Sequence, residues 1–160
     1  MQATARRFRP AFFFALALSI ICSAPVRAKT STIDDSGTQA LEPAVSMRWK
    51  TATPGRARAD NFMVGTTTIR ARLNVLPWLH RSGRIYLNLP AQQPGPFTAN
   101  WTTQGRFLPG QVQSGNRALL YSGPITAPVM EEVMSFQFNM NAALLGRPFP
   151  ISLRFEIDEG

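Results

Sequence analysis

The sequence predicts an all-β protein, a single antiparallel β-sandwich of immunoglobulin-like or related type with about seven or eight short strands. Its 160 residues suit one domain, and apolar side chains alternate with polar ones in many short segments. The 11 glycines and 13 prolines fall mostly between those segments. After residue 28, segment 130–145 alone has apolar residues at helical spacing over a long stretch free of glycine and proline, so the sequence gives little support for helices.

The first 28 residues predict a signal peptide. The arginines within 6–9 form a positively charged start, and the apolar run 11–22 is shorter than a membrane span needs. Val26 and Ala28 then supply the small residues that signal peptidase reads before its cut. The alternative is an uncleaved N-terminal membrane anchor. We expect cleavage after Ala28 and a mature protein in the bacterial cell envelope, either periplasmic or secreted, without a transmembrane segment.

Removal of residues 1–28 changes the charge of the chain. Four of the 17 basic residues and the only cysteine lie in this segment, whereas all nine acidic residues follow it. The mature chain has a formal net charge of +4 at pH 7, so nucleic-acid binding loses its main support. Without a thiol, the mature chain has neither a disulfide nor a thiolate ligand for a metal.

Residues 29–43 are polar, small and without clean periodicity, which predicts a flexible N-terminal arm ahead of a β-sandwich domain at 44–160. Strand signals begin with the domain. Apolar residues alternate through 45–50 and through 67–75, which is the clearest two-faced strand in the chain. A third alternating segment, 85–89, is stopped by a proline.

The second half of the chain predicts the remaining strands at 97–101, 117–122, 134–140 and 151–158. Segment 134–140 also has helical propensity, but its period of two and its phenylalanines favour a strand. Alternation assigns the inward positions to Val45, Met47, Trp49, Ile69, Leu73, Ile85, Leu87, Trp101, Leu119, Phe136, Phe138, Leu153 and Phe155.

Few groups are suited to catalysis. His80 is the only histidine, and its loop position predicts a solvated side chain. Glu156 and Asp158 lie two apart on a strand, at a separation that suits a glycosidase carboxylate pair. They belong to the polar face of that strand, however, where exposed carboxylates keep ordinary pKa values. With no phosphate loop and no metal-ligand spacing, we expect no enzymatic activity, no cofactor and no bound metal.

Arginine is the more suggestive residue type. Arginines occur in pairs near turns and on one strand face, and neighbouring pairs would contact phosphate or carboxylate groups bidentately. An exposed tryptophan in a loop adds a flat surface for a sugar ring. The candidate surface for a ligand or partner consists of Arg56, Arg58, Arg70, Arg72, Trp78, His80, Arg81 and Arg84. The alternative is an ordinary solvated face.

The end of the chain carries an alternating segment, 149–157, that follows Gly146. This pattern resembles the C-terminal strand of chaperone–usher pilus subunits, in which alternating apolar residues dock on a chaperone and build the subunit groove. The resemblance is confined to this segment, and the penultimate position is Glu159 where that family has a tyrosine. The resemblance implies an assembly strand carried by Ile151, Leu153, Phe155 and Ile157.

Two functions remain open at this point. The first is an exported binding or structural module of the cell envelope, such as a pilus or surface-assembly subunit, that joins another envelope protein or itself by strand addition. The second is a periplasmic or secreted binder of an anionic ligand (a glycolipid, a polysaccharide or an acidic protein) that uses the arginine surface.

Overall fold

The computed structural model describes residues 29–42, 45–50, 61–91, 97–141 and 151–159. Within these residues the chain forms ten strands and one 3₁₀ turn at Leu76–Trp78. The strands are β1 (Thr30–Thr32), β2 (Gln39–Ala40), β3 (Ser46–Trp49), β4 (Phe62–Asn74), β5 (Ser82–Leu89), β6 (Phe97–Thr103), β7 (Gly110–Gln113), β8 (Asn116–Pro124), β9 (Val129–Asn141) and β10 (Arg154–Glu159).

The strands form two antiparallel sheets that pack against each other. Sheet A has four strands in the order β1-β10-β5-β8. Sheet B has six strands, in which β2 and β3 both pair with β4 and the order continues β9-β6-β7. The longest ladder joins β4 to β9 over 13 residues of each strand. The predicted all-β sandwich is confirmed, with more strands than alternation alone indicates.

The core lies between the two sheets because successive side chains of a strand point to opposite faces. In β4 the odd-numbered positions from 63 to 73 are buried and face sheet A, whereas Arg70 and Arg72 point to solvent. Phenylalanine rings stack at the centre, with ring centroids 5.4 Å apart for Phe97 and Phe138 and 5.7 Å apart for Phe136 and Phe138. Such stacking adds to the stabilisation from apolar burial.

Most of the predicted inward positions are buried: Ile69, Leu73, Ile85, Leu87, Trp101, Phe136, Phe138 and Phe155. Val45, Met47 and Leu153 are half-buried and pack against this core. Trp49 was assigned to the core by alternation, and this prediction is wrong, since its side chain is 45% exposed. The residue is the last of β3, which among the described strands pairs with β4 alone.

The prediction for Leu119 is also wrong. Its side chain is 37% exposed, whereas the next residue, Leu120, is fully buried. A register shift between β5 and β8 explains the difference: Ile85 pairs with Tyr121, but its neighbour Tyr86 pairs with Leu119. The extra residue on β8 is therefore Leu120, and the bulge turns its side chain into the core.

The segment predicted as a flexible arm takes part in the sandwich instead. Thr30–Thr32 pairs with β10 in sheet A, and Gln39–Ala40 pairs with β4 in sheet B. Between them, Ile33 is 2% exposed and belongs to the core. One polar segment thus crosses from the edge of one sheet to the edge of the other, held mainly by main-chain hydrogen bonds, which side-chain periodicity does not report.

Several predictions lie outside the described residues: the signal peptide at 1–28, the arginines Arg56 and Arg58, and Gly146 with the first part of the alternating segment. In the part of the chain that the structure describes, no helix has the length and apolarity that a membrane span requires.

Candidate functional site

The predicted assembly strand lies inside sheet A. β10 is paired on one side with β5 and on the other with β1. Phe155 and Ile157 are buried, whereas Ile151 and Leu153 precede the strand and are half-buried against the core. The alternation therefore reflects a strand with one face in the core. The edge of β10 that pairs with β1 is the part of the strand at which a partner strand could bind.

Strand β1 covers this edge with a very short ladder. Thr30, Ser31 and Thr32 pair with Asp158, Ile157 and Glu156 respectively. The ladder is extended at both ends, where the Ile33 amide donates to the Phe155 carbonyl at 2.8 Å and the Glu159 amide donates to the Lys29 carbonyl at 3.2 Å. Because Thr-Ser-Thr carries no large apolar side chain, Ile33 is the one deep apolar anchor of segment 29–33.

The junction between β1 and β10 is called the seam below. A row of polar side chains crosses the outer face of sheet A at this seam. Arg117 of β8 donates to both carboxylate oxygens of Asp158, each at 3.0 Å. The Thr30 hydroxyl donates to the same carboxylate at 2.6 Å. Arg117 also lies 4.2 Å above the Tyr86 ring, which fixes the guanidinium in a cation–π contact. Asp158 thus joins the edge strand β1 to β8, on the far side of the sheet.

This environment changes the titration of Asp158. The hydrogen bonds from Arg117, and next those from Thr30, hold the pKa of the Asp158 carboxyl below its ordinary value, although partial burial opposes them. The pKa of Arg117 is raised by the same pairing. The prediction of ordinary pKa values for exposed carboxylates is therefore wrong for Asp158, and the shift is opposite in sign to that required of a general acid.

The second carboxylate of the predicted pair, Glu156, also takes part in the polar row. It accepts a hydrogen bond from the Asn88 amide at 2.6 Å, and Arg117 lies 3.6 Å from its other oxygen. Both carboxylates are thus bound by side chains of other strands of sheet A. Sequence reasoning missed Asn88, Arg117 and Thr30, because their proximity depends on the order of the strands rather than on spacing along the chain.

Trp78 is not the exposed platform that its loop position predicts. It is 9% exposed in the 3₁₀ turn, and its indole nitrogen donates to Glu159 at 3.1 Å. Arg81 donates to the other oxygen of Glu159 at 2.8 Å. The hydrogen bonds from Trp78 and Arg81 lower the pKa of Glu159. His80 stands exposed in this turn with a left-handed φ of 64°, and only its main chain is tied down, by the His80 amide to the Ile125 carbonyl at 2.8 Å.

The described members of the arginine surface lie in two separate places. Arg70 and Arg72 are on the outer face of sheet B, where Glu131 lies 3.6 Å from the first and 3.7 Å from the second. Arg81 and Arg84 belong to sheet A or the loop before it, beside Glu159 and Asp158 respectively. Because the outer faces of a two-sheet sandwich point in opposite directions, these pairs cannot act as one patch.

No group of three or more metal-ligating side chains occurs among the residues with described positions. Comparison with known proteins gives no family: the chain matches no protein-family model, and no curated protein matches it.

Proposed function

We propose that the protein is an exported structural or binding module of the cell envelope, of the pilus or surface-assembly type, that joins a partner by strand addition at the β10 edge. The partner is another envelope protein or a second copy of this chain. The observation that carries the proposal is the contrast between the two strands of the seam. β10 places Phe155 and Ile157 deep in the core, whereas β1 is three residues long and wholly polar.

Strand addition supplies affinity through main-chain hydrogen bonds and specificity through pockets for alternate side chains. The β10 edge offers the first of these features, a row of main-chain groups on a strand whose alternate residues are buried. Its main-chain groups are paired by β1, and the residue that follows β1, Ile33, adds one buried apolar side chain, worth about 1.5–3 kcal/mol of burial. A partner strand with apolar residues at more than one inward position would replace β1 with a gain in buried area.

The experiment uses a cysteine pair that reports whether β10 pairs with β1 of its own molecule or with a strand of another. Thr32 and Glu156 are register partners across the seam, and both point to the outer face. In the mature chain, which lacks other cysteines, Thr32→Cys with Glu156→Cys forms a disulfide within one molecule when β1 is its own, and between molecules when strands are exchanged. We expect a ladder of covalent oligomers on non-reducing gels that grows with protein concentration.

The matched control is Asn88→Cys with Arg154→Cys, a register pair between β5 and β10 that strand exchange at β1 does not alter. This pair should give only monomers with an internal disulfide at every concentration. A Thr32–Glu156 pair that behaves like the control, both in the purified protein and in an envelope extract that contains its natural partners, would contradict the proposal.

A further inference from the structure

The outer face of sheet B contains a shallow groove of about 300 Å³. Its floor is built by three adjacent strands, β4, β9 and β6, and one wall comes from Glu42, just after β2. The groove lies on the opposite face of the sandwich from the β1–β10 seam. Whatever it binds is therefore separate from strand addition.

The floor is a regular grid of hydroxyl and amide side chains. Thr66 of β4 pairs in register with Gln137 of β9, which pairs with Asn100 of β6. Two residues further along, the corresponding row joins Thr68, Ser135 and Thr102. Neighbours within a row are about 4.8 Å apart and the rows about 7 Å apart, so the six groups cover an area similar to one or two sugar rings.

These six side chains have unused hydrogen-bonding capacity. None of them forms a hydrogen bond with another group of the described chain. The outer face of sheet A differs, since Asn88, Arg117, Glu156 and Asp158 all bind one another there. Each of the six groups can both donate and accept or, as an amide, present one donor and one acceptor edge.

The groove floor carries no formal charge. The six floor residues are neutral, and the carboxylate of Glu42 forms no ion pair within the described ranges. Of the other charges on this face, Arg70 and Arg72 flank Glu131, and Arg48 of β3 pairs in register with Val64, outside the residues that line the groove. Glu42 is the one charged residue among those that line the groove, and its like charge argues against phosphate or an acidic polysaccharide there.

We infer that this groove binds a neutral oligosaccharide. Sugar hydroxyls donate and accept as the floor does, planar Asn100 and Gln137 amides can contact two neighbouring hydroxyls, and Glu42 can accept from a vicinal diol. The methyl groups of the threonines meet the C–H face of the ring. A peptide strand finds no open edge here, because β4, β9 and β6 are paired to each other, and an apolar partner would leave six polar groups without partners.

The test is NMR titration of the isotope-labelled mature protein with three neutral probes, cellohexaose, mannohexaose and laminarihexaose, and with an anionic heparin hexasaccharide. We expect at least one neutral probe at millimolar concentration to shift the signals of Thr66, Thr68, Asn100, Thr102 and Gln137, and the heparin probe to leave them unchanged. Asn100→Ala with Gln137→Ala should weaken that binding by about tenfold or more, since two planar amides are lost.

The matched control is Ser122→Ala with Thr126→Ala, two exposed polar residues outside the groove, which should bind the neutral probe as the unmodified protein does. Folding of each variant is checked by its dispersed amide spectrum. The inference is overturned when none of the neutral probes shifts the groove signals, when heparin shifts them as strongly, or when the groove variant retains full affinity. None of these outcomes bears on the cysteine-pair test of strand addition.

Discussion

Replacing Ile33 by alanine tests whether β1 is a fixed part of the fold or a strand that can be displaced from β10. Ile33 is 2% exposed, so its truncation removes buried methyl and methylene groups. In a core that cannot relax, such a change costs about 2–5 kcal/mol, because a cavity is added to the lost burial. If segment 29–33 can undock as a unit, however, the loss in free energy of unfolding cannot exceed the free energy with which the segment docks.

That docking free energy can be bounded from the contacts. Burial of Ile33 contributes about 1.5–3 kcal/mol. Ordering five residues costs about 1–2 kcal/mol each, which is at least as much as the few hydrogen bonds of the short ladder return, so the Ile33 contribution sets the upper limit of the docking free energy. We therefore expect Ile33→Ala to lower the free energy of unfolding by about 2 kcal/mol, at the bottom of the range for a core isoleucine.

Urea unfolding followed by circular dichroism and tryptophan fluorescence gives this value. Besides the lower midpoint, we expect a smaller m-value, because a native state with β1 undocked exposes less new surface on unfolding. Thr32→Ala, an exposed change in the same strand, is the matched control and should stay within about 0.5 kcal/mol. Phe155→Ala provides the comparison for a fixed core residue, at about 3–5 kcal/mol. An Ile33→Ala loss equal to that of Phe155→Ala, with an unchanged m-value, would refute the replaceable strand.

Three further predictions concern single side chains. Asp158→Asn should make stability depend less on pH in the acid range. The folded pKa of Asp158 is lowered from 3.8, so its stabilisation is present above that pH and is lost as pH falls through the folded pKa. Urea midpoints measured across acid pH check this. Glu132→Ala removes the carboxylate that accepts hydrogen bonds from the amides of Gly105, Arg106 and buried Phe107. The change should lower the free energy of unfolding by about 1–3 kcal/mol and speed hydrogen exchange at those amides. Unchanged exchange would contradict this prediction. His80→Gly should raise the free energy of unfolding by up to about 1 kcal/mol, because His80 holds a φ of 64° that glycine adopts without strain, although glycine adds entropy to the unfolded chain. A clear loss of stability in urea unfolding would contradict this account.

Alternation predicted the strands that have one face in the core. Segment 67–75 lies within β4 except for its last residue, segment 134–140 lies within β9, and the apolar phases of both are the buried ones. The same signal could not find β1 or β2, because a strand held by main-chain hydrogen bonds needs no apolar side chains. It also could not place a bulge, so the choice between Leu119 and Leu120 depended on the register of β8 against β5.

The candidate site was less accessible to sequence reasoning than the fold. The two tryptophans show why. Trp49 has the right phase for the core but is exposed at the end of β3, whereas Trp78 lies in a loop but is buried, with its indole nitrogen donating to Glu159. The polar row at the seam combines side chains from β1, β5, β8 and β10. Their meeting depends on strand order, which local pattern does not encode.

The seam between β1 and β10 also has a consequence for the order of folding. Thr30 and Asp158 are 128 positions apart, so their hydrogen bond closes almost the whole described chain. Contacts of such long sequence separation form late, because the entropy of closing the loop is repaid only after the intervening strands are in place. The β10 edge is therefore open during the last stage of every folding event. At that stage the chain's own first strand competes with any other strand present, and the outcome depends on local concentration as well as on affinity.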